Sequence, residues 1–173
     1  FAEGQWTQFL TKVAKTDKIN AVVSEGNKIW CATDAGIVKW NASDGTYNLH
    51  ALQGMQRLNC AAIDWNGVKW FGSSKEAPYQ GTNAVVLSFK DSVLISFSKE
   101  DSDVFNKPFS LVKSIIVDHM NKRIICAVYW NSQSDRPYYS LIAFNGNSWE
   151  ELISFSQSFG LMPFVADTIN PWN

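Results

Sequence analysis

A chain of 173 residues with 15 basic and 16 acidic side chains has a formal net charge of −1, too balanced to attract nucleic acid or an anionic membrane surface. Charged residues make up 18% and aromatic residues 14%, including eight Trp, which gives the apolar content of a folded domain and not of a disordered linker. No apolar run approaches the roughly 18 residues of a membrane-spanning helix, and the opening FAEGQWTQFL lacks the basic and apolar regions of a signal peptide. One soluble body is expected, and the start at Phe1 suggests a processed or excised chain whose targeting signal lies outside it.

In chain order, GQWTQFL comes first, with a candidate strand at residues 5–10. Four short runs rich in β-branched and aromatic residues follow at 19–24, 28–33, 36–41 and 47–52. They are parted by the turn-forming pieces Glu25-Gly26-Asn27, Asp34-Ala35 and Ser43-Asp44-Gly45. The pattern restarts at 58–64, 68–73, 84–90 and 93–98, and again at 111–118, 123–130, 139–145 and 149–155. Almost no window shows the i, i+3, i+4 spacing of an amphipathic helix, so the chain reads as all-β.

The runs also repeat in register. GNKIWCAT, NGVKWFGS and NKRIICAV equate Trp30, Trp70 and Ile125, then Cys31, Phe71 and Cys126, then the small residues Ala32, Gly72 and Ala127. INAVVSEG, LNCAAIDW and VKSIIVDH repeat before them, and VKWNASDG, LSFKDS and IAFNGN after. A repeat of roughly 40 residues carrying four strands is the pattern of β-propeller blades, because each small sheet hides its faces only by stacking on its neighbours. A single β-sandwich, the runner-up, does not require motifs to recur in step.

The expected architecture is therefore one propeller segment over 1–173, with three complete four-stranded antiparallel blades at about 19–52, 58–98 and 111–155. GQWTQFL resembles the fourth strand SWEELISF, and MPFVADTINPWN resembles a first strand with its turn, placing strands of incomplete blades at 5–10 and 164–168. Further blades from a longer chain, or identical subunits, are expected to complete them.

Little in the sequence speaks for chemistry. Cys31, Cys60 and Cys126 form no Cys-x-x-Cys pair and have only His50 and His119 as possible co-ligands, so no metal site is expected and the thiols read as small buried hydrophobes. The two histidines read as exposed and idle. Phosphate-binding Gly-rich loops, dinucleotide fingerprints and His-Glu-x-x-His are missing, so neither catalytic residues nor a cofactor are expected. Trp30 and Trp70 read as packing surface between blades, with Gly72 allowing close approach of a neighbouring sheet. Asp64 and Asp118, at strand ends, read as acceptors for turn backbone.

Recognition has one topological argument. In a blade, the connection from second to third strand and the connection between blades emerge at the same end, and the three long connections all fall there. Long loops gathered on one face of a rigid scaffold are where binding residues concentrate. The connection at 74–83 carries Lys75, Glu76, Tyr79 and Gln80, and that at 99–109 carries Asp101 and Asp103. The third, at 131–138, carries Gln133, Asp135, Arg136 and Tyr138. These groups suit a polar small molecule, a glycan or a protein.

The segments AVVSEGNKIWCATDAGIVKWNASDGTY and AAIDWNGVKWFGSS resemble the two-component regulator propeller repeats, whose pattern runs apolar strand, Asp-x-x-Gly turn, Trp-Phe/Ile-Gly-Thr, Gly-Leu/Ile, then an aromatic residue with Asp or Asn. Ile29-Trp30 through Gly36-Ile37 and Asp64 through Gly72 follow it, whereas the third unit has Ile125 for the Trp and Cys126-Ala127 for the aromatic and Gly. The resemblance implies a bacterial, extracytoplasmic, non-enzymatic sensor or binding module, in the periplasm, at the cell surface or secreted. The alternative is a structural subunit of a surface or extracellular assembly that pairs through open blade edges.

Overall fold

The computed structural model describes residues 18–52, 57–74, 86–97, 101–106, 109–130 and 138–156. Twelve strands fall in them: β1 (Ile19–Glu25), β2 (Lys28–Thr33), β3 (Gly36–Asn41), β4 (Tyr47–Ala51), β5 (Arg57–Ile63), β6 (Lys69–Ser74), β7 (Val86–Lys90), β8 (Val93–Phe97), β9 (Phe109–Asp118), β10 (Arg123–Trp130), β11 (Tyr138–Phe144) and β12 (Trp149–Ser156). One four-residue 3-10 turn, Asp103–Asn106, is the only helical piece among the described residues. The terminal candidates at 5–10 and 164–168 lie outside the described residues.

Each set of four consecutive strands forms an antiparallel meander, β1 to β4, β5 to β8 and β9 to β12. The first meander is a sheet of its own, while the other two join into one eight-stranded sheet. That junction departs from three separate sheets. It consists of a single pair, Ser74 on β6 with Leu111 on β9; β9 itself starts at Phe109, two residues earlier than its hydrophobic pattern indicates.

An irregularity recurs at one place in every first strand. Pairing jumps from Ile19 to Ala21, from Leu58 to Cys60 and from Val112 to Ser114, so Asn20, Asn59 and Lys113 are the extra residues of three equivalent β-bulges. The first strands lie side by side, β1 against β5 and β5 against β9.

Two cores lie between meanders. Trp30, Ala32 and Ile37 of the first face Leu58, Phe71, Leu87 and Phe89 of the second. Cys60, Trp70 and Val86 of the second face Val112, Ile124, Cys126, Val128 and Ile142 of the third. The period-two alternation of β6 explains this division: Lys69, Phe71 and Ser73 point one way and Trp70 and Gly72 the other, and all six residues of the strand are buried. At Gly72 the sheets come so close that an added Cβ would collide with the Val112 side chain and lie 2.6 Å from Cys60 Sγ.

The short turns follow their residues. Asp91 and Ser92, at φ of 48° and 69°, make the two-residue hairpin between β7 and β8, a type I′ turn in which short polar side chains are tolerated. Phe105, within a connection of mainly polar sequence, is buried against Trp149 with ring centroids 5.2 Å apart, so the 3-10 turn is pinned to the second core.

Candidate functional site

The three long connections, 75–85 after β6, 98–108 after β8 and 131–137 after β10, each follow the second or fourth strand of a meander. Antiparallel reversal puts the strand ends they leave from at the end where first strands begin, called here the upper end. Lys75, Glu76, Tyr79, Gln80, Gln133, Asp135 and Arg136 lie outside the described residues. Asp101 and Asp103 are exposed, on either side of Ser102, whose carbonyl accepts from Phe105 N–H at 2.9 Å. Tyr138 does not belong to the connection. It is the first residue of β11, paired with Trp130 and Ser156, because ladder pairing extends one residue past the apolar run that marks the strand. Its neighbour Tyr139 packs on Tyr129 at 5.1 Å, with Lys113 Nζ 5.2 Å from the Tyr139 ring centre.

The first interface is closed at its upper end by a polar cluster that the sequence does not announce. Asn20 Nδ2 donates to Leu58 O and to Asp34 Oδ1, both at 2.7 Å, and Asp34 Oδ1 pairs with Arg57 Nε at 3.1 Å. The bulge at Asn20 thus aims its amide at the carbonyl just before the next bulge. In the second interface the matching carbonyl, Val112 O, takes the Cys60 thiol at 3.7 Å.

The lower end uses the turn acids. Asp64 Oδ1 accepts from Asn66 N–H at 2.8 Å and Val68 N–H at 3.0 Å, while Oδ2 accepts the Trp70 indole N–H at 3.0 Å. The carboxylate therefore holds the turn and satisfies the buried indole together. Asp118 accepts from the Asn121 backbone at 3.0 Å and side chain at 2.8 Å, with Arg123 at 3.2 Å. These bonds, those from Asn121 foremost, hold its carboxyl down at about 2. Glu25 stands at the same position of the first meander but reaches across the interface to Lys69 Nζ at 2.8 Å. That bond holds the Glu25 carboxyl below its ordinary value, and the buried Lys69 also sits 5.0 Å from the Trp30 ring centre. Only a third dimension reveals this pair, since the residues are 44 positions apart.

Trp30 and Trp70 are buried at 3% and 4% exposure. Trp70 stacks on Phe97 at 5.8 Å and meets Phe144 at 5.6 Å and Trp149 at 6.4 Å. His50 departs from the exposed histidine of the sequence reading. It is half-buried with its ring 4.8 Å from Phe89, and that desolvation, with Lys39 adding, holds its pKa below the ordinary value. His119 is exposed beside Trp65, at 6.4 Å. All three cysteines are buried thiols. Among the described residues no group of three or more His, Cys, Asp or Glu converges as metal ligands do, and no helix is long and apolar enough to cross a membrane.

No family model matches the sequence, and no curated protein does. Solved structures do. The extracellular domain of BT4673 from B. thetaiotaomicron, described as a putative one component system, matches with a TM-score of 0.50 and 11% identity over 82% of this chain. A second structure of that domain, described as a putative hybrid two component system, matches with a TM-score of 0.47 and 12% identity, also over 82% of this chain. The chain spans about a quarter of those structures, 23% and 24% of their lengths. The likeness is one of fold: an all-β chain shares its strand arrangement with part of a bacterial extracellular domain.

Proposed function

We propose that the three meanders are consecutive blades of a β-propeller, and that the chain is a non-enzymatic, extracytoplasmic recognition segment that binds a polar ligand or a protein through its upper face. The observation that carries this reading is the threefold repetition of strand order and of the first-strand bulge, with first strand packed on first strand. Such an arrangement gathers the long connections over one end of a rigid stack. The fold likeness to an extracellular domain supports the compartment.

The test is titration of the full chain with acidic and neutral oligosaccharides and with peptides. Saturable binding without turnover, weakened by Asp101→Asn or Asp103→Asn, is expected. Conversion of any panel member, or binding indifferent to changes in all three connections, overturns the reading.

A second reading, an assembly subunit that uses open edges, is favoured by β8. Its Val93, Leu94 and Ile95 are 59%, 41% and 50% exposed on an outer strand whose far edge has no partner strand among the described residues. Concentration-dependent sedimentation abolished by Leu94→Lys would support it, and a single unchanging species would refute it.

A further inference from the structure

The two interfaces are built on one plan, yet among the described residues only the first is closed at its upper end. Register makes Asn59 the counterpart of Asn20, Ser74 of Asp34 and Leu111 of Arg57. In the first interface the Asp34 carboxylate accepts the Asn20 amide at 2.7 Å and pairs with Arg57 at 3.1 Å. In the second, Asn59 Nδ2 and Ser74 Oγ are buried with no hydrogen-bond partner among the described residues. Ser74 is only 9% exposed, is paired through its backbone with Arg57 and Leu111, and is the last residue of β6 before the connection 75–85. Two orphaned buried donors on paired strands at the same end of an interface are costly.

We propose that the upper end of the interface between the second and third meanders is a binding subsite for the carboxylate of an acidic ligand, with Asn59 and Ser74 as its donors. The first interface shows what completes this constellation, since there a carboxylate of the chain itself accepts the equivalent amide. A carboxylate has two oxygens, one for the Asn59 N–H and one for the Ser74 O–H, and it brings no proton of its own to satisfy. A neutral hydroxyl has one oxygen and adds a donor that would need another acceptor. At the third bulge the row carries the exposed Lys113, a cation at the same end as the exposed Asp101 and Asp103. The subsite rests on the recognition reading above and gives it a ligand class.

The experiment is nuclear magnetic resonance of the full 15N-labelled chain, following side-chain amides during titration with sodium acetate. Sodium chloride at matched ionic strength and methyl glucoside are the controls. The Asn59 amide pair is expected to shift saturably with acetate while that of Asn20 stays still. Ser74→Ala should weaken the response about fivefold, the loss of one hydrogen bond. Ser74→Asp places a carboxylate where Asp34 stands in the other interface and should abolish the response. If Ser74→Asp does not fold, Ser74→Ala still decides. Asn59 signals that ignore acetate, move equally with chloride, or move further with methyl glucoside overturn the subsite. Ligand binding through the connections with Asn59 silent would refute the subsite alone. An acetate response with no larger ligand bound would refute only the recognition reading.

Discussion

Truncating Trp70 to Ala removes a buried side chain that joins the second and third meanders. The indole is 4% exposed, lies within 6.4 Å of the Phe97, Phe144 and Trp149 ring centres, and donates to Asp64 Oδ2 at 3.0 Å. Loss of a buried aromatic side chain costs about 3–5 kcal/mol, and the acceptor left behind on Asp64 adds about 1 kcal/mol, placing Trp70→Ala in the upper part of that range. Trp70→Phe separates the contributions, because it keeps most of the ring packing and loses only the N–H bond and some area, for about 1–2 kcal/mol. Urea unfolding followed by far-ultraviolet circular dichroism reads both, provided the slopes match the parent's. A Trp70→Ala midpoint coincident with the parent's would show that the indole is not part of the core. Equal losses for Phe and Ala would show that packing is not what holds it.

Gly72→Ala should cost about 1–3 kcal/mol, since the new methyl meets the buried Val112 and Cys60 side chains and forces the meanders apart; an unchanged melt would refute that close approach. Asp118 titrates at about 2 when folded against 3.8 for the free group, so the folded chain binds fewer protons in between. Its stabilisation is therefore complete above about pH 4 and lost as pH falls toward 2, and Asp118→Asn should flatten that acid limb of the melting profile. Lys69→Met removes the bond to Glu25, which is about one third exposed and can be rehydrated, so a loss of about 1 kcal/mol is expected, and a loss above about 3 would mean that Glu25 is far less accessible. Burial pushes the Cys60 thiol up to about 12 and the Cys126 thiol well above its ordinary value, so neither should react with iodoacetamide at pH 8 until the chain unfolds. Rapid labelling in the native state would contradict that burial, and a Cys31–Cys126 crosslink by mass spectrometry would contradict their separate clusters, Cys31 with Val38 in the first meander and Cys126 in the second core.

The strands at 28–33, 36–41 and 123–130 have the same ends in the sequence pattern and in the structure, because Gly, Asn and Asp turns fix where pairing stops. The inward direction of Trp30 and Trp70 was equally legible, as alternation fixes a side of the sheet. The bulges were not, although each leaves a trace: a long polar side chain, Asn20, Asn59 or Lys113, second in its repeat, where the alternation slips by one. Contacts between repeats left no trace at all. Nothing in Lys69 predicts its burial, because the Glu25 and Trp30 that accept it belong to another repeat. Phe105 likewise sits in a run of charged and polar residues that reads as solvated, and its partner Trp149 is 44 residues away.

β6 belongs to both cores, and all six of its residues are enclosed. With Phe71 wedged on one side and Trp70 on the other, the strand has no slack in either direction, and interiors this dense transmit displacement instead of absorbing it. The strand thus ties the two interfaces together: its upper end, Ser74, pairs with the third meander and its lower end, Lys69, is bonded to the first.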